Sequence, residues 1–313
     1  MEDHVPRHPG VTGPSGRTTV GRTLAGLAEA RRGILWMLLS MLLAVSMDTV
    51  NKTLAQTIPV PQLVWARFVF HTVLLVLFLG RRLPRAVATR RPGLQVVRSM
   101  LLIGASAMFV TALAVMPLAD ANAIIFVAPI LVAALSAPLL GERVGRQRWI
   151  GVALGFAGTL IIIRPGGGAT QLAALLPLGS ACLFALYQIA TKQLSQVDPV
   201  MTTLFYTGLL GAMVTSVAVP FFWVAPHAGE WSLLVMLGVL SGTCHFCLIK
   251  AFEAAPAATV APFVYTSLIW ATLSGFVFFG DLPDAWTVVG AAIIVASGIH
   301  LARQERRPRD TGT

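Results

Sequence analysis

Charge is what this chain lacks most. Only 12% of its 313 residues are Asp, Glu, Lys or Arg, and just 13 of those are acidic. Soluble domains carry roughly a quarter charged residues, so a water-soluble fold of this size is a poor fit. Cysteine is scarce too: Cys182, Cys244 and Cys247 all lie in apolar stretches, which excludes a disulfide framework. Cys244-His-Phe-Cys247 has C-x-x-C spacing, but His245 points about 100° away from Cys244 on a helix. The pair reads as small packing residues rather than a redox or metal centre. His4 and His8 sit in a polar tail and read as solvated. No second cluster of His, Cys or carboxylates supplies missing ligands, so neither a metal nor a cofactor is expected. The chain also has no Gly-rich phosphate loop ending in Gly-Lys-Ser/Thr, so nucleotide-driven work would need another subunit.

What fills the space is hydrocarbon. Apolar residues make up 56% of the chain and mean hydropathy is +0.77. Runs of roughly 20 apolar residues, long enough to cross about 30 Å of lipid as helix, recur throughout. Ten are expected: 33–55, 62–80, 96–116, 119–140, 149–164, 172–191, 201–223, 231–250, 256–279 and 285–302. They are separated at Pro59-Val-Pro61, Arg81-Arg82-Leu-Pro84, Gly141-Glu142-Arg143, Pro165-Gly-Gly-Gly168 and Gly280-Asp281-Leu-Pro283, charges and turn formers where a helix leaves the bilayer. The boundary between the third and fourth runs rests on Pro117 and Asp120. Residues 1–32 and 303–313 are expected as cytoplasmic tails, the first disordered. The first apolar run is too long for a secretory signal and has no small-residue cleavage site after it.

The chain is written twice. Lys52-Thr-Leu-Ala-Gln-Thr-Ile-Pro-Val60 returns 140 residues later as Lys192-Gln-Leu-Ser-Gln-Val-Asp-Pro-Val200, with five of nine residues held. The echo continues at an offset of 139, where Pro117 answers to Pro256, Gly141-Glu142 to Gly280-Asp281, and Gly151 to Gly290. Units of 33–168 and 169–302 with five spans each follow, and an odd number of spans inverts the second unit relative to the first. The fold expected is an all-α polytopic membrane protein of ten helices in two inverted five-helix repeats.

Basic residues set the orientation. With the N-terminus in the cytoplasm, the inner side collects 20 of the 23 Lys and Arg, including the six between Arg81 and Arg98. Only Lys52, Arg67 and Arg164 fall elsewhere. The positive-inside bias therefore puts both termini in the cytoplasm of a bacterial inner membrane. The formal charge of +10 is explained by orientation and needs no nucleic-acid partner.

Polar residues inside apolar spans are costly, at least about 3 kcal/mol for a charge near the bilayer centre, and so mark either function or a structural network. Span one carries Asp48, Asn51 and Lys52, with Asp48 and Lys52 one turn apart and able to pair. Span two carries Arg67 and His71. Asp48 and Arg67 read as lining that meets a charged or zwitterionic solute, with Asp48 a candidate proton carrier; Lys52 reads as a snorkelling residue in a helix-tying network. At an offset of 140, Asp48 pairs with Gln188, Asn51 with Thr191 and Arg67 with Thr207, so the second unit is less charged. His245 lies deep in span eight, as a core histidine or a pathway residue. Pro129 and Pro262 bend spans four and nine, beside Asn122 and the segment Tyr265 to Trp270, which either pack or line a path. Gly151, Gly155, Gly158, Gly290 and Gly298 make spans five and ten look like packing elements.

Three motifs resemble the EamA type of the drug/metabolite transporter superfamily: Trp65-Ala-Arg-Phe68, Gly141-Glu142-Arg143 followed by Gln147-Arg-Trp-Ile-Gly151, and Ala258-Thr-Val-Ala-Pro262. The likeness covers roughly 33–302. Asp48 to Lys52, Gln147-Arg-Trp149 and Leu248-Ile-Lys-Ala-Phe252 are most similar to bacterial members that move S-adenosylmethionine or riboflavin. Gly280-Asp281 departs conservatively from the usual Gly-Glu. The resemblance implies a central cavity between inverted halves, open to each side in turn, with spans five and ten peripheral. The function expected is secondary active transport of a small organic metabolite. A membrane-embedded enzyme on a lipid-linked substrate, or a non-transporting scaffold, is the alternative. The partners expected are a small solute, the lipid bilayer and a coupling proton, with the chain a monomer or homodimer.

Overall fold

A computed structural model describes residues 19–140, 146–163, 169–255 and 260–304. The turns at Gly141-Glu142-Arg143 and Pro165 to Gly168, together with His4, His8, Arg164, Pro256, Ala258 and Thr259, lie outside the described residues. Everything regular among those described is helical: α1 Thr19–Leu54, α2 Val60–Leu79, α3 Leu83–Val87, α4 Pro92–Val115, α5 Leu118–Ile125, α6 Ala128–Leu140, α7 Arg146–Ile163, α8 Ala169–Leu194, α9 Val200–Ala218, α10 Ala228–Ala254, α11 Thr266–Ser274 and α12 Ala285–Gln304. Six helices are long and apolar enough to cross a membrane, and four shorter apolar segments, Leu118–Val132, Trp149–Ile163, Phe263–Phe279 and Ala285–His300, complete ten.

Helix starts follow the prolines. Pro59, Pro92 and Pro199 stand at the first turns of α2, α4 and α9, where a missing N–H costs nothing. Stretches expected to bend are broken outright. Span four divides at Phe126 and Val127, just ahead of Pro129, and span nine passes from a 3-10 turn at Ala261–Tyr265 through α11 into a π turn at Gly275–Phe279. Gly280, with φ of 71°, stops that run, since a left-handed residue is best supplied by glycine. One expectation is corrected: residues 19–32 belong to α1, which runs 36 residues, and not to an irregular tail.

The duplication is visible in the backbone. Ala55 N–H bonds Asn51 O, and Thr57 and Ile58 N–H both bond Leu54 O; Ser195, Val197 and Asp198 repeat the pattern onto Thr191 and Leu194, shifted by 140. The two turns lie on opposite faces, here called the Lys52 face and the Lys192 face. Packing obeys the same exchange. Helix α1 packs on α10 as α8 packs on α4, α2 meets α9, and α7 meets α12. At that last contact Gly158 and Gly290 face each other: a Cβ on Gly158 would stand 2.8 Å from Gly290 O, and one on Gly290 2.5 Å from Gly158 O. Reciprocal backbone approach of this kind requires glycine on both sides.

Candidate functional site

Helices α2, α4, α8, α9 and α10 enclose a central cavity of about 20 Å³ lined by Arg67, His71, Tyr187, Thr207, Ser241 and His245, among others. Each of these helices turns at least one residue toward this cavity, and the polar ones among them find partners there that lipid would not supply. Arg67 donates from Nε to Ser241 Oγ at 3.4 Å and from Nη1 to Ser106 Oγ at 3.2 Å. His71 Nδ1 meets the same Ser241 Oγ at 3.2 Å. His245 donates Nδ1–H to Ser241 O at 2.8 Å, since a carbonyl only accepts, which leaves Nε2 facing the cavity. The two imidazoles stand edge to face with centroids 5.8 Å apart.

Asp48, 8% exposed, faces the Arg67 charge from α1 and shares a hydrogen bond with the Asn122 side chain, whose Nδ2 also reaches Leu118 O at 3.1 Å. Asn51 lies one turn further along α1 at 1% exposure, and neither amide atom has a partner among the described residues.

Other expected residues go elsewhere. Lys52 does not pair with Asp48. It reaches across the repeats to Asp281 Oδ2 at 2.6 Å and to Met116 O at 3.1 Å. Helical spacing allowed the Asp48 contact, but Gly280 turns Asp281 into the same space and supplies a closer carboxylate. Tyr265 and Trp270 do not reach the cavity. Tyr265 stacks on Phe126 at 5.2 Å and presses its hydroxyl against Gly298, and both residues belong to the packing layer around α5 and α6. Gln188 is half-buried on α8 away from the cavity lining. Cys244 ties α10 to α1: Ser40 Oγ donates to Cys244 O at 3.0 Å, and Cys244 Sγ to Ser40 O at 3.4 Å.

Sequence reasoning missed Arg98, counted above among the face-anchoring arginines. It lies inside α4 at 2% exposure, the bulkiest fully buried side chain described. Its Nε donates to Thr191 Oγ1 at 2.6 Å, Nη1 to Thr203 O at 3.2 Å and to Thr207 Oγ1, and Nη2 to Tyr187 Oη at 2.6 Å. Tyr187 was missed with it. The available signal was a hydroxyl ladder, Tyr187 and Thr191 on one helix and Thr203 and Thr207 on the other, each pair one turn apart.

The cavity adjoins a larger groove. His71, Leu204 and His245 also line a groove of about 280 Å³ between α2, α9 and α10, and Phe78 and Met201 of that groove also line a pocket of about 430 Å³ at Arg82 and Pro199, on the Lys192 face. Ties between the repeats stand at both faces: on the Lys192 face Tyr206 donates to Val87 O and Gln95 to Asp198, both at 2.9 Å, and others lie on the Lys52 face. Besides Lys52 to Asp281, Thr57 donates to Glu230 at 2.6 Å, Gln62 exchanges two bonds with the Val224 backbone, and Trp65 donates to Ser216 at 2.9 Å.

The profile of the EamA-like transporter family matches twice, over residues 31–164 and 171–302. The chain belongs to the EamA-like transporter family. Within that family it is similar to an S-adenosylmethionine uptake transporter of Rickettsia prowazekii, 28% identical over 88% of this chain and 94% of the relative. A riboflavin transporter of Rhizobium johnstonii is 30% identical over 88% and 92%, and the pseudopaline exporter CntI of Pseudomonas aeruginosa 29% identical over 88% and 98%. Among solved structures, one described as "Crystal structure of protein" superposes with a TM-score of 0.62 at 19% identity over 90% of this chain and all of that one, which speaks for the fold alone. These EamA relatives are named for moving small molecules, and an EamA chain is accordingly read as a small-molecule transporter in the membrane rather than an enzyme.

Proposed function

We propose that this EamA protein is a secondary active transporter that moves a small organic metabolite, of the size of S-adenosylmethionine, riboflavin or an amino acid, across the bacterial inner membrane by alternating access. The observation that carries the reading is the buried polar cavity at Arg67, Ser241 and His245, enclosed by helices of both repeats and sharing His71, Leu204 and His245 with a larger groove. Inverted repeats supply two pseudo-equivalent conformations around one site, so exchanging their roles reverses the opening. Both termini are assigned to the cytoplasm by the placement of arginine, which makes the Lys52 face the outer one.

Asp48 is the proposed coupling group. It is a buried carboxylate beside Arg67 and Asn122, able to hold or release a proton as the cavity is wetted. The purified chain in proteoliposomes should take up labelled S-adenosylmethionine or riboflavin faster than protein-free vesicles, and a pH gradient should change the rate. Asp48→Asn should keep binding and lose the dependence on the gradient. Uptake by the variant with its full gradient dependence rejects the coupling role, and no uptake of any metabolite by the parent rejects the transporter reading.

A further inference from the structure

Two guanidinium groups, Arg67 on α2 and Arg98 on α4, lie between the helices. Asp48 faces Arg67, whereas every hydrogen-bond acceptor of Arg98 is neutral: two threonine hydroxyls, one carbonyl and the Tyr187 phenol. A cation kept in lipid surroundings by dipoles alone leaves the site one positive charge in surplus, a cost that a resident anion would offset. The hydroxyls show where that anion would stand. Thr191 and Thr207 spend their own protons on Tyr187 O and Thr203 O, both at 2.7 Å. Tyr187 accepts from Arg98, and its own O–H finds no acceptor among the described residues. The guanidinium also lies over the Tyr187 ring, 4.4 Å from the centroid, which fixes the phenol in place. Accepting a bond from a cation makes that O–H a stronger donor. Tyr187 lines the same cavity as Arg67, whose Nη2 makes no hydrogen bond to the described residues.

We propose that the transported solute carries a carboxylate, bound in the central cavity by the Arg67 Nη2–H on one oxygen and the Tyr187 O–H on the other, with Arg98 behind Tyr187 as a positioning residue. The proposal rests on the transporter reading and narrows its substrate class. Two converging donors suit the two oxygens of a carboxylate. The cavity as it stands has room for about one water, so it must widen to take the carboxylate, and the body of the solute occupies the adjoining groove, where Leu74, Phe78 and Phe246 favour an apolar or planar portion. Tyr187 stacks on Phe184 with centroids 5.4 Å apart, which holds its ring without help from the hydroxyl. Replacing Tyr187 by Phe therefore removes the donor and keeps the packing.

The test uses the purified full-length chain and its thermal midpoint, since a ligand that binds the folded state raises it. The probes are S-adenosylmethionine, phenylalanine and succinate, each beside its carboxamide, with riboflavin as a solute without a carboxylate. At least one carboxylate should raise the midpoint at a concentration about tenfold or more below that needed by its carboxamide, the usual size of a charge-assisted hydrogen bond. Tyr187→Phe should weaken the carboxylate alone and leave the carboxamide unchanged, a pattern that general loosening of the fold would not produce. Equal response to acid and amide, or a response to riboflavin only, overturns the carboxylate and leaves the transporter standing. Silence from every probe, riboflavin included, counts against both.

Discussion

Asn51 shows how a single residue links stability to work. It sits at 1% exposure on α1, one turn from Asp48, and neither its amide oxygen nor its nitrogen has a hydrogen-bond partner among the described residues. Each buried orphan of this kind costs about 1–3 kcal/mol, so leucine, similar in shape and without polar atoms, should be preferred by the state described here. Asn51→Leu is expected to raise the thermal midpoint of the ligand-free protein by several degrees and to slow uptake, because the amide finds its partners only when the cavity rearranges or fills. A midpoint that falls, or uptake that is unchanged, would show that Asn51 is ordinary packing. The same scale explains what could be read from sequence. Asp48, Asn122, Arg67, His71 and His245 stand out as polar residues in apolar runs. Arg98 did not, because an arginine six residues past Pro92 has the signature of an interfacial anchor; only the fold shows threonines from two other helices closing around it. Tyr187 was invisible for the converse reason, since an aromatic residue on an apolar helix nearly always packs.

At the scale of elements, the two turns made from one duplicated segment are fastened differently. On the Lys52 face the turn buries Ile58, and on the Lys192 face the equivalent position is Asp198. Asp198 clasps the segment before α4: Thr89 donates to it at 2.5 Å, Arg90 N–H at 3.0 Å and Gln95 Nε2 at 2.9 Å. Burial alone would raise its pKa. The bonds from Arg90, Thr89 and Gln95, with the Arg90 charge, outweigh that and hold the carboxyl below its ordinary value. A depressed folded-state pKa means that the clasp contributes its full stability above the unfolded pKa of about 3.9 and loses it as pH falls through the folded value. The parent should therefore melt above Asp198→Asn at neutral pH, with the gap closing below about pH 4. A gap independent of pH would mean that the charge contributes nothing. The periodic pattern made the helices legible, but it could not rank partners. Lys52 was one turn from Asp48, and the competing Asp281 stands 229 residues away in sequence at the end of a broken helix. Where spans four and nine are broken, Pro129 and Pro262 gave the position of the fault and not its form.

For the whole molecule, the repeat decided most of the architecture. Once a 140-residue unit holds five spans, inversion follows, and the exchange of α1 with α8, α2 with α9 and α4 with α10 reproduces the observed packing. What duplication does not give is how the halves are fastened: Lys52 to Asp281 ties them at the Lys52 face, and Asp198 clasps the segment before α4 at the Lys192 face. Under the proposed alternating access the cavity must open to each face in turn, and that requirement is the centre of the account. Leu204 tests it, since it lines both the central cavity and the groove. In a chain whose three native cysteines are replaced, Leu204→Cys should react with a membrane-impermeant maleimide applied from either face. Adding Lys52→Cys and Asp281→Cys and closing them with a short thiol cross-linker should abolish labelling from the Lys52 face, spare it from the Lys192 face and stop uptake until the link is cleaved. Labelling from one face only, or uptake that persists with the link closed, would contradict alternating access through this cavity.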